Sequence, residues 1–138
     1  MNELDGTLRE MDLQFFANGK HGVTLSQAAE CLGGSGDCVF LDVRTEEEAG
    51  YVQFNNVLHI PFNLLPDRIG ELPVNKTIIV FCTSVVRASM AAFYLKAEGM
   101  TGARTLMANS EEMVDLFSPA QVLSHRNSIA QQRNNCCN

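Results

Sequence analysis

The sequence predicts an α/β domain with a mostly parallel central sheet and helices on both faces. Two observations carry that reading. Segments that read as strands and as helices alternate along the chain, the pattern of parallel strands joined by helical crossovers. The runs Val39-Phe40-Leu41 and Ile78-Ile79-Val80 are continuously apolar, as a strand covered on both faces requires. A chain of 138 residues, 46% of them hydrophobic, suits one domain with a substantial core. We expect an N-terminal extension over 1–22, the domain proper over 23–117, and a C-terminal helix and polar tail over 118–138.

In the extension, Met11 to Phe16 reads as a short edge strand, closed by the turn pair Asn18-Gly19. Thr24 with Gln27 three residues later forms a capping box and opens a helix through Ala28, Ala29 and Leu32. Gly33 to Asp37 ends it in a flexible turn. Cys38 to Val43 is a nearly all-apolar strand, and Thr45 with Glu48 makes a second capping box before a short helix. Val57 to Ile60 is a strand stopped by Pro61. Leu64 to Leu72 suggests a short helix with Pro66 in its first turn. Asn75-Lys76 then turns the chain into the strand Thr77 to Phe81. The helix Ala88 to Glu98 spaces Met90, Phe93, Tyr94 and Ala97 as a buried face, with Gly99 just past its end. Ala103 to Met107 is the last strand, and Ser110 reads as the cap of a further helix. Beyond Pro119, Val122, Leu123 and Ile129 form a thin apolar stripe before a polar tail.

Composition excludes several functions. The net charge is −6 and there is no basic stripe, so nucleic acid is not an expected partner. No apolar run approaches the roughly 20 residues of a membrane span, and the first twenty residues do not read as a signal peptide. The five cysteines, at 31, 38, 82, 136 and 137, form no zinc-type pairing and no even framework. A reducing, cytoplasmic setting is expected. His21, His59 and His125 are dispersed and suggest no metal site; His59, in a strand pattern, reads as a structural imidazole.

Cys82 carries the strongest chemical signal. It closes the apolar run Thr77 to Phe81 and opens Cys82-Thr83-Ser84-Val85-Val86-Arg87, after which a helix starts at once. Free thiols are mostly protonated at neutral pH. The partial positive charge of a helix N-terminus and a nearby arginine both favour the thiolate. In parallel sheets ligands bind outside the carboxyl ends of the strands. Cys82, Asp42 and Arg44 all lie there.

These residues resemble the rhodanese family of sulfurtransferases, in which a Cys-x-x-x-x-Arg loop joins a central strand to a helix. Phe40-Leu41-Asp42-Val43-Arg44 with the acids Glu46, Glu47 and Glu48 resembles that family's Asp-Val-Arg segment and acidic helix start. His59-Ile60-Pro61 resembles the end of its next strand. The resemblance covers roughly residues 23–106 and implies a rhodanese-like fold. It also implies that Cys82 carries sulfur as a persulfide, moving it from thiosulfate, polysulfide or a persulfide to a thiol acceptor, possible acceptors including proteins. No organic cofactor or metal is needed.

Within the loop, main-chain N–H groups from Thr83 to Arg87 are expected to form a nest around the sulfur. The hydroxyls of Thr83 and Ser84 face an anionic substrate in this reading. Arg87 either faces the anion or braces the loop by binding a carboxylate, with Glu47 or Glu48 as partner. Bracing is the favoured role. Asp42 and Arg44 either support the loop through a salt bridge or cap, or touch substrate directly.

The chain departs from the family in three places. Many members have a second cation and a glycine inside the loop, whereas here Thr83 follows the cysteine and Val85 and Val86 occupy the middle. Tyr51 to Asn56 replaces the Gly-His-Ile-x-Gly-Ala stretch, and Met107 to Ser110 replaces a Gly-Gly and aromatic segment. One cation and a partly apolar mouth favour a persulfide or polysulfide over a small dianion. Two other functions fit less well. A cysteine phosphatase or arsenate reductase uses a loop one residue wider, and a non-catalytic binding or regulatory module has no need of both Cys82 and Arg87. A redox pair at Cys136-Cys137 is disfavoured, because adjacent cysteines close a strained ring.

Overall fold

The computed structural model describes residues 3–32 and 37–118 of the chain. Five strands form one sheet: β1 (Gly22–Val23), β2 (Cys38–Asp42), β3 (Leu58–His59), β4 (Thr77–Phe81) and β5 (Ala103–Leu106). Their spatial order is β1-β5-β4-β2-β3, and every pair is parallel. The two strands with continuous apolar runs, β2 and β4, are neighbours at the centre. Their register sets Cys38 opposite Thr77 and Asp42 opposite Phe81.

The side-chain alternation of a strand divides the core in two. On one face Ile78, Val80 and Cys82 join Leu41, Val43 and the helix residues Ala88, Ala91, Ala92 and Leu95. On the other, Ile79 and Phe81 join Phe40, Val23, Ala28, Ala29, Met113 and Leu116. The helices behind these faces are α3 (Leu25–Leu32), α6 (Val86–Ala97) and α7 (Ser110–Leu116). Two shorter helices, α4 (Glu46–Tyr51) and α5 (Leu65–Arg68), fill the crossovers around β3, with single 3-10 turns flanking α5. The expected two-sided parallel sheet is therefore the architecture found. No helix among the described residues is long and apolar enough to cross a membrane.

Local chemistry explains the helix ends. Thr24 and Gln27 form their reciprocal capping box (3.0 and 3.3 Å), and so do Thr45 and Glu48 (3.1 Å each). At the far end of α6 the backbone turns at Gly99, whose φ of +96° suits glycine. The Gly99 N–H reaches Lys96 O and the Met100 N–H reaches Leu95 O, a Schellman closure. Gly102 lets the chain entering β5 approach the turn before β4, since a Cβ there would lie 2.6 Å from Lys76 O.

Several expectations are corrected. Met11 to Phe16 is not an edge strand: α1 (Glu3–Glu10) and α2 (Leu13–Ala17) occupy the extension. Asp12 caps α2 by accepting from the Phe15 N–H at 2.9 Å, and the edge strand is instead the two-residue β1. The buried face of α6 is Ala88, Ala91, Ala92, Leu95 and Ala97, while Met90 is 58% exposed and Phe93 and Tyr94 are half-buried. Small side chains bring the helix close to the sheet, and the bulky ones cannot fit in that gap. The cap of α7 is Asn109, one residue before Ser110, in a capping box with Glu112. Cys31 and Cys38, in which no disulfide framework was expected, form a disulfide between the end of α3 and the start of β2. The turn expected at 33–36, the helix expected beyond Pro119 and the pair Cys136-Cys137 lie outside the described residues.

Candidate active site

Cys82 is the residue immediately after β4. It continues the alternation of Ile78 and Val80, so its side chain points beneath the first turn of α6 and is only 1% exposed. Its Sγ–H donates to the carbonyl oxygen of Ser84, and the Ala88 N–H donates to Sγ at 3.4 Å. The N–H group that reaches the sulfur is thus supplied by Ala88, just beyond the stretch expected to form a nest. The carbonyl of Ser84 occupies the other side of the sulfur.

Arg87, in the first turn of α6, binds Glu48 through both ends of its guanidinium. Nη1 donates to Oε1 and Nη2 to Oε2, each at 2.7 Å. Nη2 also donates to Thr83 Oγ1 at 3.1 Å. Of the two glutamates expected as partners, Glu48 makes the pair. Glu47 is exposed on the neighbouring side of α4 and does not take part in it, because Glu48 is the capping-box residue whose carboxylate already turns back over the helix start. The Arg87 hydrogen bonds first, with help from those of Thr45, hold the Glu48 carboxyl at about 2, despite an opposing push from burial. The same pair raises Arg87 above its ordinary range.

The exposed rim of the loop is Thr83, Ser84 and Val86, with Val85 half-buried. Ser110 Oγ donates to Thr83 O at 3.1 Å and ties the loop to the start of α7. The Thr83 hydroxyl oxygen is engaged by Arg87. The loop is therefore fastened at Glu48, at Ser110 and beneath Ala88. The Ala88 and Ser110 contacts had no sequence signature, the first being a backbone group and the second lying 27 residues away.

Asp42 and Arg44 form a buried pair, with side chains 2% and 4% exposed. Arg44 Nε and Nη2 donate to the Asp42 carboxylate at 2.8–3.1 Å, and Nη2 also reaches Val52 O at 2.8 Å. The guanidinium carbon stands 4.9 Å from the Phe54 ring centre. His59 Nε2 donates to Arg44 O at 2.8 Å, the structural imidazole expected. The Arg44 guanidinium is thus committed to internal partners. A cavity of about 280 Å³ beside Asp42, Arg44, Phe54 and His59 shares no residue with the Cys82 loop.

The fold and loop define a parallel α/β domain with a buried cysteine at a strand-to-helix turn, closed by an arginine. The family model described as Rhodanese-like domain matches residues 24–111, and the chain belongs to that family. It is 35% identical to a tRNA sulfurtransferase of Aeromonas hydrophila over 83 residues, 56% of this chain and 17% of that protein. It is 29% identical to a sulfurtransferase of Allochromatium vinosum over 68 residues, 49% of this chain and 64% of that protein. The chain thus spans only part of the length of these relatives. Among solved structures, a rhodanese-like domain protein from Staphylococcus aureus superposes with a TM-score of 0.62 at 25% identity, covering 67% of this chain and 89% of that one.

Proposed function

We propose that the protein is a sulfurtransferase that carries sulfane sulfur on Cys82. The observation supporting this reading is the seating of Cys82 under the start of α6, with the Ala88 N–H directed at its sulfur and Arg87 latching the loop to Glu48. Catalysis is covalent. The Cys82 thiolate attacks the outer sulfur of a donor R–S–S⁻. The donor S–S bond breaks, R–S⁻ leaves, and Cys82 becomes a persulfide. An acceptor thiolate then takes the terminal sulfur and releases the Cys82 thiolate. No net electron is gained or lost by the protein over the cycle. Before attack, the Ser84 carbonyl must turn away from the sulfur, and its N–H or those around it can then face the persulfide anion.

Arg87 is neutralised by Glu48, so the loop offers no free guanidinium to a small dianion. Persulfide or polysulfide donors fit such a loop better than thiosulfate, and the two valines add an apolar mouth. Intact-mass measurement after incubation with polysulfide, a small-molecule persulfide or thiosulfate tests the proposal. One added sulfur per chain, absent in Cys82→Ser, is the expected result. The deep burial of Cys82 favours one second reading, a rhodanese-like binding module. No sulfur gained from any of the three donors would select it.

A further inference from the structure

We propose a second ligand site, for a phosphate-bearing small molecule of up to nucleotide size, in the cleft between α2 and the far end of α6. The cleft encloses about 710 Å³, within the usual roughly 300–1,000 Å³ of small-molecule sites. Lys20, Lys96 and Arg104 converge on it from the turn before β1, the last turn of α6 and β5. It shares no residue with the Cys82 loop. Nine residues of α6 separate Lys96 from Arg87, about 14 Å of helix. The Met11 to Asn18 wall lies outside the residues matched by the family model, so this cleft is built by the chain's own N-terminal helices.

No ion pair between described residues holds any of the three cations. All 16 acidic side chains of the chain fall within the described residues. The ion pairs Asp42 with Arg44, Glu71 with Arg68 and Glu48 with Arg87 join described residues, and none of these involves Lys20, Lys96 or Arg104. Two carboxylates, Glu10 and Asp12, do line the cleft. Asp12 is occupied in capping α2. Glu10 attracts Lys96, but more weakly than Arg104 and Lys20 repel it. Burial first, then those two cations, push the Lys96 ammonium below the ordinary lysine range. Lys96 donates to Thr101 O at 3.1 Å and stands 5.5 Å from the Phe15 ring centre. An anion entering here would relieve like-charge repulsion that Glu10 offsets only in part.

The lining fits a phosphate with an organic body. Arg104 offers a planar fork that matches two phosphate oxygens, and the two lysines add point charges. Gln14 and Asn18, whose amides bond each other at 3.2 Å, and the Phe15 ring beneath Lys96 complete the lining with polar and aromatic surface.

Calorimetric titration of the full chain with inorganic pyrophosphate and with ADP tests the site. One saturable site is expected for at least one probe. Lys96→Gln and Arg104→Gln should each weaken it about tenfold or more, as loss of a charged contact does. Lys20→Gln, on an exposed side chain, should weaken it without affecting the thermal melt. Cys82→Ser should leave it unchanged. Absence of saturation with both probes, or binding unchanged across the three cation variants, would overturn the site.

Discussion

Arg87 and Glu48 meet as two parallel hydrogen bonds of 2.7 Å, joining the first turn of α6 to the first turn of α4 across 39 residues of chain. This fork closes the Cys82 loop from outside. It also removes the loop's arginine from the set of groups available to a substrate.

Glu48→Gln should lower stability by about 1 kcal/mol, the scale of a partly exposed ion pair. Glutamine can still serve the capping box, so the loss reports the pair. In the fold the Glu48 carboxyl titrates at about 2, against about 4.3 in an unfolded chain. A depressed carboxylate stabilises above its unfolded value and stops doing so as pH falls toward its folded value. Urea melts should therefore show the gap between wild type and Glu48→Gln full at neutral pH and shrinking as pH drops below about 4.3. A gap independent of pH would remove the carboxylate from the account.

Cys82→Ser should abolish sulfur loading with every donor while the far-ultraviolet circular dichroism is retained. Serine fills nearly the same buried space, and its hydroxyl can donate to Ser84 O as the thiol does. Retained turnover in this variant would mean that another group carries the sulfur.

Donor choice follows from the neutralised arginine. Steady-state kinetics should give polysulfide or small persulfides a higher kcat/KM than thiosulfate. Val85→Gly combined with Thr83→Arg should raise thiosulfate turnover, by adding a cation and freeing the loop backbone. A wild-type preference for thiosulfate would sink the argument.

Asp42→Ala should be the most damaging single change at the sheet's carboxyl edge. It leaves Arg44 buried without its carboxylate, which costs about 3–5 kcal/mol. Asp42 also accepts from the Arg44 backbone N–H at 3.0 Å. Denaturant midpoints should fall far more than for Glu48→Gln. Equal losses would place the two ion pairs in similar dielectric surroundings, against their different exposure.

The sequence was most legible where its information was local. Thr24 with Gln27 and Thr45 with Glu48 satisfy each other within four residues, and the apolar runs of β2 and β4 need no distant partner to be recognised. Cys82 and Arg87 were visible through the strand and helix on either side. The face of α6 was not, because Met90, Phe93 and Tyr94 carry more hydrophobic weight than Ala88, Ala91 and Ala92. Packing against a flat sheet rewards small size, a requirement set by the neighbour. Likewise the short run Met11 to Phe16 has too few residues to separate strand from helix periods, and Asp12 as cap decided it. The Cys31–Cys38 pair joins residues seven apart whose Cα atoms stand 5.8 Å from each other, a proximity that spacing alone does not reveal.

That disulfide has a bearing on how long a loaded sulfur would last. Cys38 begins β2 opposite Thr77, whereas Cys82 lies beyond the other end of β4. Five strand residues, about 16 Å, separate the two ends, and disulfide exchange needs Cα atoms within about 7 Å. Cys31 sits beside Cys38, 5.8 Å away between Cα atoms. Among the described cysteines, none can therefore resolve a Cys82 persulfide from within. Under the proposed chemistry, the terminal sulfur leaves to a thiol from outside the described residues. The half-life of the charged cysteine is then set by how often an acceptor thiol meets an open loop, so Cys82 can store one sulfur atom until a recipient thiol arrives.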